Sequence, residues 1–224
     1  IINKDSKRRY IIVSAPGKRF AADPKITDVL YSCYAELQAT GSCKESFNIV
    51  RNRFISIVND LHVDIDIDSI LDETERRIVE QNSRDFTASR GEYLSARVAA
   101  VAFGATFIDT EGLIFFKEDG TLDEDKSYKE IYNSVICVEK AVLPGFYGTG
   151  NDGKVRTFSR GGSDITGAVV ARGVGASLYE NWTDVSGLLA CDPKIVTRPK
   201  SINLISYEEL RELSSMGANV LHSE

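Results

Sequence analysis

Short strand-like runs that stop on small, polar or glycine residues recur along this chain of 224 residues. Tyr10-Ile11-Ile12-Val13 is the first. Its β-branched content, short length and lack of polar alternation predict a strand buried in a parallel sheet. It ends on Ser14-Ala15-Pro16-Gly17-Lys18, small residues and a basic one. Pro24 then suits a first helical position, and Ile26, Val29, Leu30, Cys33, Tyr34 and Leu37 mark an apolar stripe up to Gly41. Lys140 to Leu143, ending on Pro144-Gly145-Phe146-Tyr147-Gly148, repeats the pattern. So does Ala176 to Trp182, ending on Thr183-Asp184-Val185-Ser186-Gly187. Ala105 to Asp109, Leu113 to Phe116 and Val135 to Val138 are further strand-like runs. Such alternation predicts an α/β fold, a three-layer αβα sandwich around a mainly parallel sheet. In these sheets the C-terminal strand ends share one edge, where ligands bind. Segments 14–18, 144–148 and 183–187 and the helix start at 160–164 are therefore expected around one cleft.

The remaining segments read as helices and turns. Phe47 to Leu61 has helical spacing. Asp64, Asp66 and Asp68 are spaced like part of a calcium loop, but the loop's glycine and closing glutamate are missing. A helix N-terminus at Asp66 or Asp68 is expected instead, with the helix running from Ile70 to about Gln81. Ser89-Arg90-Gly91-Glu92 opens another, with Leu94, Val98, Val101 and Ala102 at helical spacing and Gly104 as its stop. Small residues (Ser95, Ala96, Ala99, Ala100) predict that it packs tightly. Glu92, placed in its first turn, is either a partner of the helix dipole or a carboxylate awaiting an amino group. Tyr128 to Ile131 reads as a short helix and Asn151-Asp152-Gly153-Lys154 as a hairpin turn. Ser206 and Glu209 form a capping box before a helix to Met216.

Arg160-Gly161-Gly162-Ser163-Asp164 lies between a β-type segment and a helix that begins at once with Ala168, Val169 and Val170. Adjacent glycines permit a sharp turn and leave N–H groups uncovered. A helix start aims unpaired N–H groups and a positive dipole end at whatever lies above it, which suits a phosphate or carboxylate. Arg160 adds a two-pronged donor. Ser163 and Asp164 could cap the helix or face a ligand, and Ser14 could likewise cap a turn or touch a phosphate. A turn with no ligand remains the alternative. No Gly-Lys-Ser/Thr follows at P-loop spacing.

Composition excludes some classes of function. A net charge of −6 argues against a nucleic-acid surface. The longest apolar runs, such as Val98 to Phe103, are too short to span a bilayer. Cys33, Cys43, Cys137 and Cys191 show no CxxC spacing, and the chain has two histidines, so no zinc site is expected. Cysteines scattered on apolar patterns fit reduced, buried thiols of a cytoplasmic protein.

Several of these segments together carry a resemblance. They are Val13-Ser14-Ala15-Pro16-Gly17, Lys25-Ile26-Thr27-Asp28, Ser89-Arg90-Gly91-Glu92, Pro144-Gly145-Phe146 and Arg160-Gly161-Gly162-Ser163-Asp164. Trp182-Thr183-Asp184-Val185-Ser186-Gly187, Asp192-Pro193 and Met216-Gly217-Ala218-Asn219-Val220-Leu221-His222 complete the set. In this order, across nearly the whole chain, they resemble the catalytic domain of the aspartate kinases, within the amino acid kinase superfamily. The resemblance implies one amino acid kinase-like catalytic domain over residues 1–224. It implies ATP-dependent phosphorylation of the side-chain carboxylate of L-aspartate to 4-phospho-L-aspartate, which opens the route to lysine, threonine and methionine. Glu92 would take the α-amino group. Arg160 would hold a substrate carboxylate, helped by Thr27, Gly161, Gly162, Ser163 and Asp164. Ser14 would lie at the transferring phosphate, with Thr183, Asp184, Lys194 and Asn219 at the nucleotide. Magnesium comes with ATP, no metal ligand of the chain's own is implied, and the full-length protein would be a homodimer. A carboxylate acceptor is already ionised at neutral pH, so no general base is needed. The transfer needs positioning and positive charge instead.

Three departures accompany the resemblance. A Lys-Phe-Gly-Gly-Ser strand that steadies the transferring phosphate is not in the sequence, so the chain is expected to start after it. Many relatives carry lysine where this chain has Asn219, and arginine where it has Lys194. The C-terminal ACT domains that bind a feedback amino acid are also not in the sequence. A kinase of the same superfamily acting on glutamate or acetylglutamate, and a ligand-binding paralogue without turnover, are the alternatives.

Overall fold

Strand β1 (Tyr10–Val13) pairs in parallel with β3 (Ala141–Pro144), and β3 pairs in parallel with β2 (Thr106–Phe107), giving the order β1-β3-β2. Alternate residues of these strands enter different cores. Ile11 and Val142 pack with Ala96 and Ala100 of helix α4 (Arg84–Phe103), while Tyr10, Ile12, Ala141 and Leu143 pack with Ile131, Val169 and Val170. The latter three belong to α5 (Glu124–Val135) and α6 (Gly162–Gly173). The sheet is therefore covered on both faces, which is why its strands read as unbroken apolar runs. The computed structural model describes residues 2–159, 161–182, 188–189, 196–197 and 200–215.

Outside α4 lies a helical layer: α1 (Ile26–Thr40), α2 (Lys44–Leu61) and α3 (Ile67–Gln81). The α1 stripe Ile26, Val29, Leu30, Cys33 and Leu37 joins Phe47, Val50 and Phe54 of α2, Leu71 and Ile78 of α3, and Phe86, Leu94 and Val98 of α4 in one core. α4 is thus buried between sheet and helices, and its small residues let both neighbours approach. Caps set the boundaries. Gly41 ends α1 in the left-handed conformation with its N–H on the Leu37 carbonyl. The Asp66 side chain accepts from the Ser69 N–H at the start of α3.

The chain divides into two compact units, Ile1–Tyr179 and Glu180–Glu224. The first also contains a hairpin, β4 (Tyr147–Thr149) with β5 (Val155–Thr157), turned at the expected Asn-Asp-Gly-Lys. The second contains the antiparallel pair β6 (Leu188–Leu189) and β7 (Ser201–Ile202). It also contains α7 (Tyr207–Ser215), opened by reciprocal bonds between Ser206 and Glu209.

Several local expectations are corrected. α4 starts at Arg84, capped by the Ser83 side chain, so Glu92 sits in mid-helix and cannot be a first-turn dipole partner. Val135 ends α5, and residues 136–138 form no strand, because Ile131 and Val135 supply a helical stripe to the core. Ala176 to Trp182 is irregular, following Gly175 at positive φ. Leu113 to Phe116 makes only isolated bridges. Pro24 precedes α1 rather than opening it. Its neighbour Asp23 is committed to a buried pair with Arg53. Cys33 and Cys43 are buried, and burial pushes their thiols up to about 12 and about 11. Cys137 is exposed, contrary to the expected burial, and Cys191 lies outside the described residues.

Candidate functional site

Three chain segments end at one edge of the parallel sheet and enclose a cleft of about 350 Å³. Ser14, Ala15, Pro16 and Gly17 follow β1, Phe146 follows β3, and Gly161, Gly162, Ser163 and Asp164 begin α6. Lys25 and Thr27 at the start of α1, and Glu92 of α4, complete the lining. The expected convergence is therefore present for 14–17, Phe146 and 161–164. Segment 183–187 lies outside the described residues, as do Arg160, Thr183, Asp184, Lys194 and Asn219. Ser14, Thr27, Glu92, Gly161, Gly162, Ser163 and Asp164 all meet at the cleft.

Glu92 has the least ordinary environment. It is 6% exposed, and its Oε2 is one of two buried side-chain atoms without a hydrogen-bond partner among the described residues. Burial pushes its carboxyl up to about 7, while the Ala15 backbone N–H and the nearby Arg90 pull the other way. Gly91 creates this proximity: a Cβ there would stand 2.8 Å from the Ala15 Cβ, so only glycine lets α4 lie against the β1 loop. A buried carboxylate with an idle oxygen is poised for a cation that a ligand brings.

The α6 start supplies the opposite polarity. Its N-cap is Gly161, at φ +58, and no side chain caps the helix, so Ser163 and Asp164 are not caps. The first-turn N–H groups are left to a ligand anion. Two glycines bring this helix onto β3. A Cβ on Gly145 would lie 2.5 Å from the Ser163 Oγ, and one on Gly162 would lie 2.7 Å from the Phe146 Cα.

Two further features were not read from the sequence. Phe146 lines the cleft at φ +80, a conformation uncommon for a residue with a side chain. Arg53 of α2 braces the β1 loop by donating to the Gly17 carbonyl at 2.5 Å and to Asp23 at 2.8 Å. Arg19 also grips Asp23 and holds its carboxyl below the usual range. An arginine inside the apolar pattern of α2 was the available signal. Arg90, next to Gly91, is not a ligand group. It is buried with its guanidinium 4.1 Å from the Phe86 ring, 4.6 Å from Tyr93 and 5.1 Å from Tyr147, and it bonds to Ser89 and the Phe86 carbonyl.

A larger hollow, about 440 Å³, lies against the β4–β5 hairpin, lined by Phe115, Lys117, Asp123 and Lys126 among others. Neither unpartnered buried atom belongs to it. Among the described residues no group of three or more His, Cys, Asp or Glu could hold a metal ion, and no helix is long and apolar enough to cross a membrane.

If Glu92 binds a cation, ligand affinity must follow its ionisation. Apparent kcat/KM for an amine-bearing substrate is expected to climb as pH rises from 5.5, by up to about tenfold per unit, and to level off above about 7. Glu92→Gln should flatten that limb; an unchanged profile would remove Glu92 from the site. The stability effect has its own sign. The folded value is raised above the ordinary 4.5, so the contribution is fully present below 4.5 and is lost as pH rises through about 7.

Similarity to known proteins identifies the family. The model of the family described as "Amino acid kinase family" matches residues 2–224. Aspartokinase 3 of Bacillus subtilis is 36% identical over 238 residues, covering 100% of this chain and 52% of that protein. The crystal structure of Clostridium acetobutylicum aspartate kinase superposes with a TM-score of 0.90 at 50% identity, covering 95% of this chain and 49% of that one. Escherichia coli aspartokinase III, in complex with aspartate and ADP, shares the fold with a TM-score of 0.81 at 24% identity. That match covers 99% of this chain and 53% of that one. The chain thus spans about half the length of these relatives.

Proposed function

Because the chain belongs to the amino acid kinase family, we propose that it is the catalytic domain of an aspartate kinase. It would pass the γ-phosphoryl group of ATP to the side-chain carboxylate of L-aspartate. The observation that carries this reading is the buried Glu92 oxygen without a partner, facing the same cleft as the uncapped start of α6. A cation receptor and an anion receptor at one cleft suit an amino acid. Relatives named aspartokinase or aspartate kinase, at 36% and 50% identity, support aspartate as that amino acid.

In this reading Glu92 takes the α-ammonium group, and Arg160 holds a carboxylate with Thr27, Ser163, Asp164 and the Gly161 and Gly162 amides. One side-chain carboxylate oxygen of aspartate attacks the γ-phosphorus. The bond from that phosphorus to the β,γ-bridging oxygen breaks, and ADP leaves with the electron pair. The acceptor carries no proton, so none has to be removed, and the protein's contribution is alignment and charge. Ser14 sits at the transferring phosphate. Thr183, Asp184, Lys194 and Asn219 belong to the nucleotide, and the magnesium that accompanies ATP neutralises phosphate charge. A homodimeric, cytoplasmic full-length protein, carrying a lysine strand ahead of residue 1 and regulatory domains after residue 224, belongs to the same proposal.

The test is ATP-to-ADP turnover with L-aspartate, L-glutamate or no acceptor, with hydroxylamine trapping the acyl phosphate. It is run on this chain and on the full-length protein. Aspartate-dependent hydroxamate from the full-length protein is the expected result. Glutamate-dependent product would reassign the acceptor, and ATP binding without any turnover would make the domain a ligand-binding paralogue.

A further inference from the structure

Phe146 forms one wall of the cleft in a backbone conformation that a residue with a side chain keeps only under external constraint. The constraint comes from across the site. The Phe146 N–H donates to the Thr166 Oγ1 at 3.0 Å, and the Thr166 hydroxyl donates to the Gly162 carbonyl at 2.7 Å. The Phe146 carbonyl accepts from the Phe158 N–H at 2.9 Å. Thr166 is wholly buried.

A threonine inside a helix commonly donates to the carbonyl four residues back and does no more. Here the same oxygen also accepts a bond from the strand side, using its donor and a lone pair together. The glycine pair Gly145 and Gly162 brings the segments close enough for this, since a Cβ on either would collide with the other wall. The hydroxyl therefore ties the turn after β3 to the first turn of α6, the two segments that carry Phe146 and the Gly162–Asp164 lining.

We infer that Thr166, which touches no substrate, is the positioning residue that holds the Phe146 wall and the α6 amides in register for the amino acid. This rests on the cleft being the aspartate site. Without the hydroxyl, the half-buried Phe146 N–H is left without its partner. Phe146 relaxes toward negative φ, and the anion receptor loses its alignment with Glu92.

Thr166→Val keeps the shape and removes both bonds. In the full-length protein its KM for L-aspartate should rise roughly tenfold. The KM for ATP should stay within about twofold, and Thr166→Ser should restore the aspartate KM, because it keeps the hydroxyl. An unchanged aspartate KM in a folded Thr166→Val protein would overturn the inference. So would equal rises for both substrates, which mark general destabilisation. Amide hydrogen exchange of Phe146 in the unsubstituted protein reads the same bond without any variant. Protection is expected, and exchange at open-loop rates would overturn the bridge. If the unsubstituted protein shows no aspartate-dependent turnover, the kinase reading fails on its own, and the Phe146 exchange still judges the hydroxyl bridge.

Discussion

Glu92→Gln is expected to cut kcat/KM for L-aspartate by roughly 30- to 1,000-fold, about 2–4 kcal/mol, while the KM for ATP changes little. The amide has nearly the same shape, but it replaces a receptor for an ammonium group with a neutral one. The Glu92 Oε2 has no internal partner, so the substitution breaks no hydrogen bond of that oxygen within the protein. It also removes the cost of ionising a buried carboxyl, so at pH 8 the variant should melt at the same temperature as the parent or higher. Reduced aspartate use in a protein at least as stable as the parent separates a binding role from a structural one. Equal losses for aspartate and ATP, or a collapse of the melting temperature, would sink the assignment.

Gly162→Ala is expected to damage both fold and site. A Cβ there would meet the Phe146 Cδ2 at 2.6 Å, its Cα at 2.7 Å and its carbonyl oxygen at 3.2 Å. Phe146 cannot step aside, because its N–H is tied to Thr166 and its carbonyl to the Phe158 N–H. Replacing a helical glycine by alanine ordinarily gains up to about 1 kcal/mol in propensity. Overpacking against fixed backbone costs about 1–3 kcal/mol, so the net sign is destabilising. Pushing α6 off the turn after β3 also displaces the amides that would receive the substrate carboxylate. A misplacement near 1 Å is worth on the order of 100-fold in rate. Thermal melting and steady-state kinetics on the variant check both effects. Parental values in both would show that the two walls separate without consequence.

Much of the cleft was legible in the sequence because the relevant signals are local. Tyr10–Val13 ends on Ser14-Ala15-Pro16-Gly17, Ala141–Pro144 ends on Gly145-Phe146, and α6 starts on paired glycines. The common edge of a parallel sheet brings such ends together. The boundary of α4 was less legible. The Ser-Arg-Gly-Glu segment reads as a helix start because glycine and serine punctuate chains, yet Ser83 is the cap and the helix runs through Gly91. That glycine serves close packing against Ala15 rather than a turn. The run at 135–138 departs from a strand for a related reason. A short apolar run fits a strand or a buried helix end equally well, and the contact with Ile131 decides which.

Local pattern was enough for the strands Tyr10–Val13 and Ala141–Pro144, the apolar stripe of α1, the hairpin turn, and Ser14 to Gly17, Phe146 and Gly161 to Asp164 at the cleft. Periodicity, glycine and proline act within a few residues and need no partner to be read. Tertiary structure alone decided that Glu92 is buried with a free oxygen and that Arg90 is enclosed by three rings. It also decided that Arg53 braces a loop from another helix, and that Thr166 holds Phe146 in a left-handed turn. Burial, desolvation and long-range hydrogen bonds depend on which distant segments come to lie beside a residue. The pattern around that residue does not carry this information.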